Sequence, residues 1–330
     1  QLEPAPPGAI YHRMSNALLD FSDLPQFDRI TPADVAPAMD ALLEKASAAL
    51  ETVTAADFPA RWDAIAKVLD VATEHLGTAW GAVSHLNSVA DTPELRAAYN
   101  AALPRVTEFW TRLGADERLY AKYKAIDVAT LNAEQKKAHA NSLRGFVLSG
   151  AELQGEARER FAKIQERAAE LGQKFSENTL DATDAFAYYA SEAEIDGVPA
   201  DVKAMYRAAA EADGKDGYKI TLQFPFYYPL MQYGTHRPLR ETLYRAYVTR
   251  ASEFGEEKWN NAPLIRDILK LRAEEAAMLG FANYAELSLA PKMADTPAEV
   301  TTFLRDLAVR AKPFAEKDRA ELEAFAKAEL

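Results

Sequence analysis

TPADVAPAMDALLEKASAALETV, residues 31–53, decides the fold class. Thr31-Pro32-Ala33-Asp34 opens a helix, with a capping residue followed by a proline at the first helical position. Apolar residues then recur at Val35, Met39, Leu42, Ala46, Leu50 and Val53. These steps of three and four place one stripe on one helical face. The same period continues downstream. Trp62, Ile65, Leu69, Ala72, Leu76, Trp80, Val83 and Leu86 predict a second, longer helix. Thr92-Pro93-Glu94 opens a third, which Pro104 is expected to break or bend. Asn132 caps another, ending near Gly150.

Phe161, Ile164, Ala168, Leu171, Phe175 and Ala182 predict a long helix over about 155–183. Further helices are expected at about 199–212, 237–252 and 262–279, the last closed by Gly280. Thr296-Pro297-Ala298-Glu299 has the form of a capping box. Behind it run Val300, Phe303, Leu304, Leu307, Ala311, Phe314, Leu322 and Phe325, with a kink expected at Pro313. Strand signal is confined to two places. Residues 185–190 hold Phe186, Tyr188 and Tyr189, and 218–222 read YKITL. They are expected to pair as a small antiparallel ribbon, with turns at Asp213-Gly214 and Asp216-Gly217. The fold class is therefore predominantly all-α, a multi-helix lobe carrying one two-stranded β ribbon. No repeat near 34 residues is present, which disfavours a solenoid. A possible internal seam falls in the irregular segment 190–236.

The two ends read differently. Residue 1 is Gln1, and QLEPAPPGAIYHR has no apolar period, so 1–13 is read as a leader or cloning remnant. Residues 14–330 form the folded part. The chain reaches Leu330 in a strongly helical stretch without a Gly, Asn or Pro stop signal, which raises the expectation of a longer protein.

Composition narrows the function. The 330 residues are 48% hydrophobic and 27% charged, an ordinary globular balance. A net charge of −12 disfavours nucleic acid as a partner, because like charges repel. No apolar run has membrane-spanning length. With no cysteine there are no disulfides, thiolate metal sites or thiol nucleophiles.

Motifs for chemistry are missing. The histidines are His12, His75, His85, His139 and His236. None forms His-Glu-x-x-His, which sets two imidazoles one turn apart on a helix so that they reach one zinc. His75 and His85 share a predicted helix but stand about 15 Å apart along its axis. Each is read as structural. There is no Gly-x-Ser-x-Gly elbow, Walker loop or Gly-x-Gly-x-x-Gly fingerprint. EADGKDG at 211–217 lacks the ligand pattern of an EF-hand. The carboxylate pairs Glu256-Glu257 and Glu274-Glu275 are read as solvated faces. No catalytic, cofactor-binding or metal-ligating residue is assigned in this chain.

Two weaker candidates remain. Residues 224–236, FPFYYPLMQYGTH, form the most aromatic stretch, read as a Pro-broken connection packed in the core rather than a ligand groove. Arg240, Tyr244, Tyr247 and Arg250 share a helical face. They could meet a substrate carboxylate, but a salt-bridged seam between helices is the reading preferred.

Longer phrases carry more information. They include NALLDFSDLPQFDRITPADVAPAM at 16–39, SHLNSVADTPELRAAY at 84–99, LNAEQKKAHANSLRGFVLSG at 131–150 and NTLDATDAF at 178–186. LYRAYVTRAS at 243–252 and LRAEEAAMLGFANYAELSLAPKMA at 271–294 complete the set. Through these the chain resembles the N-terminal half of the oligopeptidase A branch of the thimet-oligopeptidase-like zinc metallopeptidase family, from about Met14 to Leu330. The resemblance implies a nearly all-helical, two-lobed cytoplasmic enzyme whose narrow channel admits short peptides. It also implies zinc on a His-Glu-x-x-His helix, with a further Glu as third ligand and the motif Glu as general base. These residues belong to the family's C-terminal half and none has a counterpart here. The expectation is a lobe and channel wall, inactive alone, whose partners are short peptides and the C-terminal catalytic half. The alternative is a free-standing helical interaction module without catalysis.

Overall fold

The computed structural model describes residues 16–329. The expected leader at 1–13, with His12, lies outside the described residues. The chain divides into two compact units, Gln1–Glu166 with Arg272–Leu330, and Arg167–Leu271.

The first unit is built on α1, Pro32–Thr54. Asp34 fastens its start: the carboxylate accepts from the Thr31 N–H at 2.8 Å and the Thr31 hydroxyl at 2.7 Å. The expected long second helix is resolved into α2 (Trp62–Ile65), a π-helical turn over Ala66–Asp70, and α3 (Val71–Val89). A period of three and four does not announce such a widened turn. Helix α4, Pro93–Gly114, runs unbroken through Pro104. The lost N–H removes one intrahelical bond, while Ala102, Val106 and Phe109 around it are buried. Val35, Met39 and Leu42 of α1 pack with Val83 of α3 and with Val106 and Phe109 of α4. Each such burial stabilises by roughly 1.5–3 kcal/mol before entropy is counted.

The far end of α1 feeds a second cluster. Leu50 and Val53 join Ile65, Leu69, Leu119, Tyr123 and Phe146. Leu119 and Tyr123 come from α5, Glu117–Lys124, a short helix not predicted above. Asp116 caps it, accepting the N–H groups of Arg118 and Leu119 at 2.9 and 3.0 Å. Arg118 also grips Glu51 of α1 through two bonds of 2.8 and 2.9 Å. Helix α6, Ala133–Leu148, begins at the Asn132–Gln135 capping box. Helix α7, Gly155–Asp184, follows.

The second unit contains the ribbon. Strands β1 (Ala187–Ala190) and β2 (Tyr218–Thr221) pair antiparallel, Ala187 opposite Thr221 and Ala190 opposite Tyr218. At Gly217 φ is +92°, and an added Cβ would stand 2.6 Å from the Ala190 carbonyl oxygen, so the turn requires glycine. The acidic loop before β2 is structural. Asp213 accepts from the Tyr189 hydroxyl at 2.6 Å and pairs with Lys219 at 2.6 Å. Helix α8, Ala200–Ala212, packs Tyr206 against Ile220 of β2.

Residues 224–233 depart from the Pro-broken reading: they form helix α9, Phe224–Tyr233. Pro225 lies in the first turn, where N–H groups have no intrahelical partner anyway. Pro229 costs one further bond, and Tyr227 and Leu230 are buried beside it. Helix α10, Arg237–Thr249, ends about three residues earlier than expected, with Ala251 at φ +52°. Helix α11, Ala262–Met278, closes at Gly280 with φ +81°. The segment 190–236 lies wholly within the second unit.

Helices α12 (Tyr284–Leu289) and α13 (Pro297–Glu329) belong again to the first unit. Thr296 Oγ1 accepts the Glu299 N–H at 3.1 Å, and Glu299 accepts the Asp295 N–H at 2.9 Å. Helix α13 continues past Pro313, and none of its residues is buried. Among the described residues no helix is long and apolar enough to cross a membrane.

Candidate functional site

The two weaker candidates of the sequence meet in the second unit. Helix α9 turns Tyr227 and Leu230 into the core and leaves Phe224, Tyr228 and Tyr233 exposed. Residues 224–236 are thus half core and half surface. His236 closes the segment as the cap of α10, its Nδ1 accepting the Leu239 N–H at 3.3 Å.

On α10, buried Leu239 and Leu243 hold the helix to the core. Tyr247 stacks on Tyr227, centroids 4.1 Å apart and rings 8° from parallel. Burial, then the neighbouring Tyr247 and Tyr244, push the Tyr227 hydroxyl pKa up. The Arg250 guanidinium carbon sits 3.8 Å from the Tyr247 ring centroid. The preferred salt-bridged seam is not what forms. Neither Arg240 nor Arg250 has a carboxylate within salt-bridge distance among the described residues. Arg240 Nε and Arg250 Nη1 are shielded from solvent and make no hydrogen bond there. A shielded guanidinium N–H without an acceptor is costly.

A cleft of about 180 Å³ lies beside Arg250, walled by Phe186, Leu222 and Trp259. Glu256 also lines it. The turn that aims Arg250 is fixed from a distance. Ala251, left-handed at φ +52°, accepts the Asn261 N–H at 2.9 Å through its carbonyl. Asn261 is itself buried, bonded to Asn178 at 2.9 Å and to the Phe175 carbonyl at 3.0 Å. Sequence reasoning missed Phe186, Trp259 and this amide pair. Asn178 and Asn261 stand 83 residues apart, and no local pattern joins them.

Each of the described histidines has a separate structural neighbour. His75 stacks on Phe21 at 4.0 Å, and His85 meets Phe27 edge-on at 5.4 Å. His139 is buried with Nε2 2.7 Å from the Tyr123 carbonyl oxygen. Glu274 pairs with Arg160 at 2.6 Å, Glu275 accepts from Gln165 at 2.9 Å, and Glu256 pairs with Lys258 at 3.0 Å. No group of three His, Cys, Asp or Glu converges among the described residues.

Residues 39–158 match the N-terminal domain of neurolysin and thimet oligopeptidase, and residues 230–330 match peptidase family M3. Oligopeptidase A of Salmonella typhimurium is 46% identical over 324 residues, covering 96% of this chain and 48% of that protein. Oligopeptidase A of Escherichia coli is 45% identical with the same coverage. A probable cytosolic oligopeptidase A of Arabidopsis thaliana is 38% identical, covering 95% of this chain and 46% of that protein. The chain spans about half the length of the curated relatives it matches. By these matches the chain is similar to the N-terminal half of oligopeptidase A, and carries stretches that match the neurolysin and thimet oligopeptidase N-terminal domain and peptidase family M3.

Proposed function

We propose that this chain is the N-terminal portion of a zinc-dependent oligopeptidase that hydrolyses short peptides in the cytoplasm. It supplies helical lobe and channel wall, and the zinc with its ligands comes from sequence outside these 330 residues. The near-complete match to oligopeptidase A over about half of that protein's length carries the reading.

Helix α13 adds physical support. Val300, Phe303, Leu307, Phe314 and Phe325 fall within about 100° of helical arc. Yet Phe303 is 61% exposed, Phe314 72% and Phe325 63%. A contiguous apolar stripe of this length expects a packing partner. A free-standing interaction module accounts for it less well, because such a module would have to keep the stripe in water.

The unpaired Arg250 then becomes a group that meets a peptide carboxylate or carbonyl. The test is zinc-dependent cleavage of a quenched fluorogenic peptide. The 330-residue chain alone is expected to show none. A protein in which the chain continues into a His-Glu-x-x-His helix is expected to be active and to lose activity to a chelator. Turnover by the 330-residue chain alone would overturn the proposal.

A further inference from the structure

A larger cleft, about 420 Å³, lies in the first unit, away from Arg250 in the sequence and free of its chemistry. That volume falls within the range of small-molecule sites. Its aromatic walls are Trp110, Tyr123 and Phe146. Its one charged lining residue is Asp70, the last residue of the π-helical turn. Such turns recur where a helix has been reshaped for a ligand.

Most of the polar lining points to one class of ligand. Asp70 is exposed at the cleft; among the described residues no cation or hydrogen-bond donor pairs with its carboxylate, and partial desolvation pushes its pKa up. Thr73 spends its hydroxyl proton on the Leu69 carbonyl at 2.9 Å, and Ser142 spends its proton on the Ala138 carbonyl at 3.0 Å. Both therefore offer the cleft only lone pairs. Aromatic faces are negative and attract cations. The Tyr123 and Ser149 hydroxyls line the cleft as well. A carboxylate, the acceptor oxygens of Thr73 and Ser142 and aromatic walls, with no Lys, Arg or His in the lining, complement a positively charged donor.

We propose that this cleft binds an organic ammonium group on an apolar body, an arylalkyl primary amine, with Asp70 as its counter-ion. The ammonium pairs with the exposed Asp70 carboxylate and donates to Thr73 and Ser142. The ring stacks among Trp110, Tyr123 and Phe146. The same chemistry occurs in a free amine and in the N-terminus of a peptide that begins with an aromatic residue. The cleft's complementarity does not depend on the peptidase reading.

The experiment titrates the chain with 2-phenylethylamine, read by calorimetry and by indole fluorescence. Saturable one-site binding is expected, with a dissociation constant of about 1 mM or tighter for a ligand of this size. Trp110→Phe is expected to remove the fluorescence change. Asp70→Asn, and separately the neutral probe 2-phenylethanol, are each expected to weaken binding at least about tenfold. Gly145 lines the cleft, and a Cβ added there meets nothing within 4 Å. Gly145→Leu is therefore expected to fill the cleft and abolish binding while melting no lower than the parent chain, which separates occlusion from unfolding. Phe-Gly-Gly competing with the amine, when its N-acetylated form does not, assigns the site to peptide N-termini. Failure to compete assigns it to free amines. Equal binding by Asp70→Asn, equal binding of the alcohol, or no saturable binding of the amine overturns the proposal.

Discussion

Helices α1 and α13 begin with nearly the same words, TPADV at 31–35 and TPAEV at 296–300. Each then lays an apolar stripe along one face. In α1 the stripe is sealed: Val35, Met39, Leu42 and Leu50 are at most 1% exposed. In α13 Phe303, Leu304, Leu307 and Phe314 stand in water. The first helix is held by its packing. The last is held by its cap and by surface ion pairs such as Arg310–Asp306 at 2.9 Å, each worth only a few tenths of a kcal/mol. One pattern thus specifies a helix twice, but only a neighbouring surface turns that helix into a core.

The contrast is sharpest under truncation. Leu42→Ala is expected to destabilise the chain by about 2–5 kcal/mol, because its cavity sits among α1, α3 and α4. Phe314→Ala is expected to change stability by less than about 0.5 kcal/mol, because its ring is already in water. Chemical denaturation of both variants measures the difference. Equal losses would show that α13 is packed as tightly as α1.

Acid should separate the helices next. Burial raises the Asp116 pKa, but bonds from the Arg118 side chain and the Leu119 N–H outweigh it, leaving it lowered from 3.8. A depressed carboxylate contributes stability that is present above its unfolded pKa and lost as pH falls through the folded one. The melting temperature is therefore expected to drop on acidification below about pH 4. Arg118→Ala should flatten that dependence by removing the link between Asp116 and Glu51 of α1. A melting curve of the variant with the same pH slope would break this account.

Caps give a smaller effect. Thr31→Ala should cost about 1 kcal/mol of global stability, because α1 frays only if its core opens. Thr296→Ala should lower helical circular dichroism without moving the main transition. Smallest of all, Arg310→Ala should cost roughly 0.3–0.5 kcal/mol of local helix stability. Amide exchange confined to α13 would report it.

Much of this fold was legible. The helix starts at Thr31, Thr92, Asn132 and Thr296, and the ribbon of 187–190 with 218–221, follow from capping chemistry and from periods of 3.6 and 2. What was missed has particular causes. Helix α9 hides behind Pro225 and Pro229, whose local penalties are outweighed by the burial of Tyr227 and Leu230. Helix α5 is too short to show a period. At the candidate site, helical spacing put Arg240, Tyr244, Tyr247 and Arg250 on one helix. The stack on Tyr227 and the unpaired guanidinium nitrogens depend on α9 and on Asn261, neither of which is local. Asp70 carries no motif at all, and its interest arises from what surrounds it.

The sequence by itself determined the helical class, the ribbon, the likeness to oligopeptidase A and the absence of a His-Glu-x-x-His motif. These depend on residue type and spacing along one chain. Only the tertiary structure decided which apolar stripe is core, which guanidinium lacks an acceptor and which carboxylate faces an aromatic cleft. Burial and electrostatic environment are set by residues distant in sequence, so they exist only once the helices have packed.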